Sequence, residues 1–261
     1  MNKTFQEQYI NKLKKEQFFI LFFRIFILIQ FLVVWELLSH YQIIDPFFFS
    51  SPSKITLLFI NMCKDYEIFI HTGITLFETF VSFIIVNVLS IITAIILISS
   101  KSLSSIIEPY LVVLNSLPKS ALAPLIIVWL GTGSKTIIIA GASVAVFGSI
   151  INLYTGFQSA DKEKIKLITT LGGNQLDHLT KVIIPSSFPN IISNMKVNIG
   201  LCLVGVIIGE FLAAKKGLGY LIIYSSQVFK LDSLILSIII LCIIAFFLYQ
   251  FIDMIERRYI K

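Results

Sequence analysis

Charged residues are scarce in this chain of 261 residues, where Asp, Glu, Lys and Arg together make up 14% of the sequence. A water-soluble domain of this length has too much surface to cover with so few charges. Cysteine and histidine are also rare, with three of each, and neither type clusters along the chain. We therefore expect no disulfide framework, no metal site and no cofactor.

Apolar residues, in contrast, make up 56% of the chain, include 23 phenylalanines and give a mean hydropathy of +0.89. They gather in blocks of about twenty residues, the length that a helix needs to cross the apolar core of a bilayer. These blocks predict six spans, at about residues 17–39, 74–98, 106–130, 136–157, 191–213 and 234–252. The sequence therefore predicts an all-α integral membrane protein that crosses the cell membrane several times.

The first sixteen residues differ from the rest of the chain. Phe5, Tyr9 and Leu13 recur at helical spacing among several lysines. Such a pattern is typical of an amphipathic helix resting on the membrane surface. We therefore expect a cytoplasmic N-terminal segment at residues 1–16 and a transmembrane domain at residues 17–261.

The lysines and arginines predict the orientation, because cytoplasmic segments are enriched in them. With both termini inside, twelve basic residues are cytoplasmic, six are external and three lie within spans. The external six are Lys54, Lys64, Lys135, Lys215, Lys216 and Lys230. This distribution places the polar stretch Gln158–Lys181 in the cytoplasm. It also argues against nucleic-acid binding, since the basic residues form no patch interleaved with aromatics.

That polar stretch carries a motif. Nine residues separate Gly172 from Val182, and Ile184 and Pro185 follow. The spacing resembles a motif of permeases from binding-protein-dependent ABC importers: an EAA triplet, three residues, Gly, nine residues, Ile, one residue and Leu-Pro. Residues 166–168 hold Lys, Leu and Ile where the family has EAA.

The resemblance implies that residues 158–187 form a coupling loop, which in the family docks in a groove of the cytoplasmic ATPase and transmits its closure. On physical grounds, two short helices joined at a flexible glycine make a compact knob. An ordinary hairpin at the membrane surface is the alternative. The coupling residues implied by the motif are Thr170, Leu171, Gly172, Gly173, Asp177, Val182, Ile184 and Pro185.

Other segments from Phe49 onward resemble the nitrate, sulfonate and taurine branch of these permeases. The third span matches through Leu117-Pro118, and the fourth matches through Asn152 and Gly156. Glu210 and the following Gly-Leu-Gly, residues 217–219, repeat a pattern of the fifth span. One departure is Glu78, which occupies a position where the family usually has Arg.

Two prolines interrupt the third predicted span. Pro118 and Pro124 each remove a backbone hydrogen bond, which lipid tolerates only where protein or water satisfies the freed groups. Asn115 and Lys119 lie beside the first interruption. We therefore expect this span to line a translocation pathway, together with Asn152 from the resemblance, although each proline alone is equally compatible with a plain kink.

Glu210 lies near the external end of the fifth span. A carboxylate there is costly unless it is paired or hydrated. We expect Glu210, with Gly217 and Gly219, to form an outer gate or a contact with a binding protein. A glutamate hydrated at the membrane edge is the alternative.

The resemblance implies the permease subunit of an ATP-driven importer, which forms half of the pathway. Its expected partners are two cytoplasmic ATPase subunits, a second permease subunit that we expect to be another copy, an extracytoplasmic binding protein and the bilayer. The solute would be a small anion of the nitrate, sulfonate or taurine kind, or a precursor of thiamine.

Other classes of protein fit the sequence less well. We expect no enzyme activity, because the chain has no HExxH motif and no Ser and His constellation. Residues 129–136 imitate a phosphate loop, but Trp129 and Ser134 replace its required glycines. A secondary transporter or channel without an ATPase is the alternative function, although neither an inverted repeat nor a carboxylate relay is evident.

Overall fold

The computed structural model describes the backbone of residues 5–259, and it describes the side chains within this range except those of residues 5–12, 14 and 259. Helices account for nearly all of it. They are α1 (Phe5–His40), α2 (Pro46–Phe49), α3 (Pro52–Lys64), α4 (Glu67–Ser99), α5 (Lys101–Ser116), α6 (Lys119–Leu130), α7 (Ser134–Gln158), α8 (Lys162–Thr170), α9 (Gln175–His178), α10 (Ile184–Ala213), α11 (Leu218–Gln227) and α12 (Leu231–Tyr259), with a π-helical turn at Leu179–Ile183.

Five of the described helices are long and apolar enough to cross a membrane by themselves: α1, α4, α7, α10 and α12. The pair α5 and α6 is a sixth candidate, bent by 96°. Successive crossings place α8 and α9 at one end of the bundle, which we call the loop end. The turns that follow α1, α6 and α10 lie at the opposite end.

The break in the third predicted span is found at Pro118, which lies between α5 and α6. The second predicted interruption is wrong, because α6 continues through Pro124. The fifth span also begins earlier than predicted, at Ile184, with Pro185 in the first turn of α10. Proline is tolerated there because the first amides of a helix have no partner within it.

Residues 1–16 were predicted to form a surface helix. The backbone of α1 continues from Phe5 to His40 without a break. Residues 1–4 and the side chains that would define the amphipathic face lie outside the described part of the chain. The surface segment at residues 1–16 therefore stays a prediction.

Helices α4, α7 and α10 form the centre of the bundle, and small residues allow their close approach. A Cβ atom added to Gly205 of α10 would lie 2.8 Å from the Cα of Gly141 in α7. Ala145 and Ser149 continue the buried face of α7 beyond Gly141. Backbones packed this closely gain van der Waals contact, which is a main source of helix association in a membrane.

Candidate coupling loop and pathway face

The loop end carries a well-capped helix. The carboxylate of Asp161 accepts hydrogen bonds from the amides of Glu163 and Lys164, which satisfies two unpaired donors at the start of α8. Helix α8 ends at Thr170, and Gly172, two residues later, adopts φ +82°. The amide of Gly173 then donates to the carbonyl of Ile168 at 2.9 Å. The predicted turn at Gly172 therefore has the left-handed backbone that favours glycine.

The next helix is held by a reciprocal cap. The side chain of Asn174 accepts from the amide of Asp177 at 3.0 Å, and the carboxylate of Asp177 accepts from the amide of Asn174 at 2.9 Å. Asp177 also pairs with Lys181 at 2.7 Å. The side-chain amide of Gln175 donates to the carbonyl of Ser99 at 2.8 Å, which ties α9 to the end of α4. These contacts give the loop a defined shape.

Three leucines of this polar loop face outward. The exposed fractions of Leu167, Leu171 and Leu176 are 58%, 75% and 71%. Val182, in contrast, is buried beneath the loop. The remaining coupling residues predicted from the motif are distributed over the same loop: Thr170 is exposed, Ile184 is half-buried and Pro185 is exposed.

The predicted pathway residues lie around the bend between α5 and α6. Asn115, Pro118, Pro124 and Asn152 are exposed in the single chain. Lys119 is half-buried, and its ammonium group donates to the backbone carbonyl of Asn115. The Asn115 side chain lies against Gly148 of α7, where an added Cβ would be 3.1 Å from its Oδ1 atom. The structure thus brings α5, α6 and α7 together at this face.

Asn152 connects this face to buried polar residues that the sequence analysis missed. Its side chain donates to Asn194 at 2.9 Å, and Asn194 donates to Ser149 at 2.7 Å. Asn198 donates to both Ser149 and Asn87, at 2.9 and 3.0 Å. We call these five residues the amide ladder. It links α4, α7 and α10, and it satisfies polar groups that are costly when unpaired in a membrane interior.

Glu210 lies in a second cluster, at the opposite end. Its side chain is 1% exposed. Its carboxylate accepts hydrogen bonds from the hydroxyl of Thr75 at 2.7 Å and from the amide of Gly219 at 2.5 Å. Gly217 has φ +118°, and a Cβ atom at Gly219 would lie 2.8 Å from a carboxylate oxygen of Glu210. The two predicted glycines therefore make room for this carboxylate.

Comparison with known proteins identifies the family. Residues 86–261 match the family described as "Binding-protein-dependent transport system inner membrane component". The chain belongs to this family. It is therefore a multi-pass inner-membrane component of a binding-protein-dependent transport system, and the predicted membership of this permease family is confirmed.

Individual relatives agree with this assignment. The putative aliphatic sulfonates transport permease protein SsuC of Bacillus subtilis is 24% identical over 230 residues, which are 88% of this chain and 83% of that protein. The formylaminopyrimidine transport permease protein ThiX of Halalkalibacterium halodurans is 25% identical over 189 residues, covering 72% and 75% of the two chains.

A solved structure supports the fold. A chain from inward-facing conformations of the MetNI methionine ABC transporter superposes with a TM-score of 0.67 at 16% identity. The match covers 75% of this chain and 97% of that chain. The predicted all-α permease fold is thereby confirmed.

Proposed function

We propose that the chain forms half of a solute pathway whose opening is driven by an ATPase docked on residues 158–187. The observation that carries this proposal is the set of exposed leucines Leu167, Leu171 and Leu176 on a polar loop that is firmly capped. Apolar side chains held outward on a rigid, otherwise polar segment fit a pocket of a partner protein. A capped loop also transmits a displacement better than a loose one.

The second half of the pathway is another copy of the chain, which packs against the bend between α5 and α6. Helix α5 ends at Ser116 and α6 begins at Lys119, so the helical hydrogen-bond pattern is interrupted between them, although the carbonyl of Pro118 still accepts from the amide of Ala121 at 3.0 Å. Lipid does not tolerate such a break. A hydrated interface with a second subunit would satisfy the freed groups and would cover Asn115 and Asn152.

The solute is proposed to be a small anion delivered by an extracytoplasmic binding protein. Lys119 makes no ion pair with an acidic side chain among the described residues; its ammonium group donates to the backbone carbonyl of Asn115, and the side chains of Asn115 and Asn152 supply amides on the same face. A cation with nearby amides is suited to an oxyanion such as a sulfonate. The name of the SsuC relative agrees with this class. The name of the ThiX relative makes a neutral pyrimidine the second candidate for the solute.

The energy source and the solute class can be tested together. The chain should be purified with its associated subunits and reconstituted in vesicles, and uptake of a radiolabelled alkanesulfonate and of a formylaminopyrimidine should be measured. We expect sulfonate uptake to require hydrolysable ATP and to persist when ion gradients are collapsed. Uptake that follows an ion gradient without ATP would support a secondary transporter and contradict the proposal.

A further inference from the structure

Glu78 of α4 is a buried carboxyl group with no cationic partner among the described residues. Its side chain is 1% exposed. Neither carboxylate oxygen has a hydrogen-bond partner at normal distance among the described groups, although Ser134 and Glu210 lie close by. An isolated carboxylate in such surroundings is strongly disfavoured. A positive charge from outside the described structure is therefore needed to keep Glu78 ionised.

The neighbouring carboxyl group increases this need. Glu210 of α10 lies close enough for its charge to act on Glu78. Glu210 already has donors for its own oxygens, namely the Thr75 hydroxyl and the Gly219 amide. Its negative charge is thus partly compensated, whereas that of Glu78 is not. The charge of the pair that no donor stabilises is therefore that of Glu78.

A pocket of about 370 Å³ leads to Glu78 at the end of the bundle opposite the loop end. Glu78 lines it, as do the hydroxyl-bearing residues Thr132 and Ser134. Lys215 and Lys216 also line it, and both are exposed. The pocket therefore offers a path from solvent, neutral oxygen atoms along the way and a carboxylate at its buried side.

We propose that Glu78, supported by Glu210, binds one monovalent cation that enters through this pocket. One unpaired carboxylate requires one charge, and oxygen ligands suit a hard cation such as Na⁺ or a hydrogen ion. A divalent metal fits less well, because residues 5–259 contain no group of three or more His, Cys, Asp or Glu side chains arranged to hold one.

The bound cation would stabilise the packing of α4 against α10. It would do so by removing the repulsion between the two carboxylates at that contact. The other ionisable groups around the site are His71, whose Nδ1 atom lies 3.0 Å from the backbone of Gly217, and the two lysines that line the pocket. These groups belong to α4 and to the turn between α10 and α11, and they are unchanged in a variant that alters Glu78 alone.

Thermal unfolding of the full-length chain, purified with its associated subunits, tests the proposal. The unfolding midpoint should be measured for wild type, Glu78→Gln and Glu67→Gln. The NaCl concentration should be varied between roughly 1 and 100 mM, with choline chloride keeping the ionic strength constant. Glu67 is an exposed glutamate of the same helix. We expect the unfolding midpoint of wild type and Glu67→Gln to rise by a few degrees with Na⁺. The midpoint of Glu78→Gln should not change with Na⁺. Its side-chain amide is neutral and can donate to Glu210, so no cation is needed at this position.

A pH series without Na⁺ distinguishes the source of the charge. If a hydrogen ion occupies the site, wild type becomes more stable as the pH falls, since the folded state binds a proton that the unfolded state lacks. Glu78→Gln would lack this component. Equal dependence on Na⁺ and pH in both proteins overturns the proposal. It is also overturned if only a variant lacking Lys215 and Lys216 responds to cations, because a lysine would then fill the site.

Discussion

Replacing Gly172 tests whether the shape of the coupling loop matters for transport. Gly172 has φ +82°, and a Cβ atom added to it would meet nothing within 4 Å. The effect of Gly172→Ala therefore comes from the backbone alone, at about 1–2 kcal/mol for a left-handed alanine. That cost lowers the ratio of correctly shaped to distorted loop by roughly 5- to 30-fold. Gly172→Asn should be much milder, because asparagine tolerates this conformation.

We expect the Gly172→Ala protein to reach the membrane at the normal level and to keep its unfolding midpoint, because the loop lies outside the helix bundle. The amount of copurifying ATPase and the rate of ATP-dependent uptake should fall, with Gly172→Asn between this variant and wild type. Gly131→Ala is the matched control, since Gly131 has φ +77° and open space but lies at the opposite end. Normal uptake and ATPase binding in Gly172→Ala would refute the reasoning, as would an equal loss in Gly131→Ala.

Three further predictions concern the bundle. Asn198→Leu should lower the free energy of unfolding by about 1 kcal/mol, because Asn87 and Ser149 lose a donor; an unchanged midpoint in detergent would show that the amide ladder adds no stability. Gly205→Ala should destabilise the protein by about 1–3 kcal/mol through overpacking, whereas substitution of the exposed neighbour, Val204→Ala, should have little effect. Equal unfolding midpoints of the two variants would contradict this. In a variant without native thiols, an external reagent should label a cysteine at position 134 and miss one at position 174, and the reverse pattern would invert the topology.

The five long apolar helices and the bent pair α5 and α6 were predictable, because a run of about twenty apolar residues has one favourable arrangement in a bilayer. The turn at Gly172 was predictable for a similarly local reason, since a glycine between two short helices favours a left-handed backbone. Whether a proline ends a helix could be predicted only in part from the neighbouring sequence. Pro118 ends a helix but Pro124 does not, because the surrounding packing decides whether the chain bends where a hydrogen bond is missing.

The polar clusters were not predictable from one sequence. Asn87 and Asn198 are 111 positions apart, and Thr75 and Glu210 are 135 apart, so nothing local pairs them. Glu210 was expected at an external contact surface, whereas the structure shows it buried and hydrogen-bonded. Its role as an outer gate stays a prediction. One signal was available, since the occurrence of several asparagines in one apolar span indicates polar contacts between helices.

Crosslinking from position 171 tests most directly whether the loop couples the chain to an ATPase. A photoreactive group attached to a cysteine at position 171, in a chain without native thiols, should capture an ABC ATPase in intact cells. Position 128 is the control, because Val128 is 80% exposed but lies near the opposite end. The account predicts a crosslink to the ATPase from position 171 and none from position 128, with a weaker crosslink in the presence of Gly172→Ala. A transporter that is active in uptake but gives no ATPase crosslink from position 171 would contradict it.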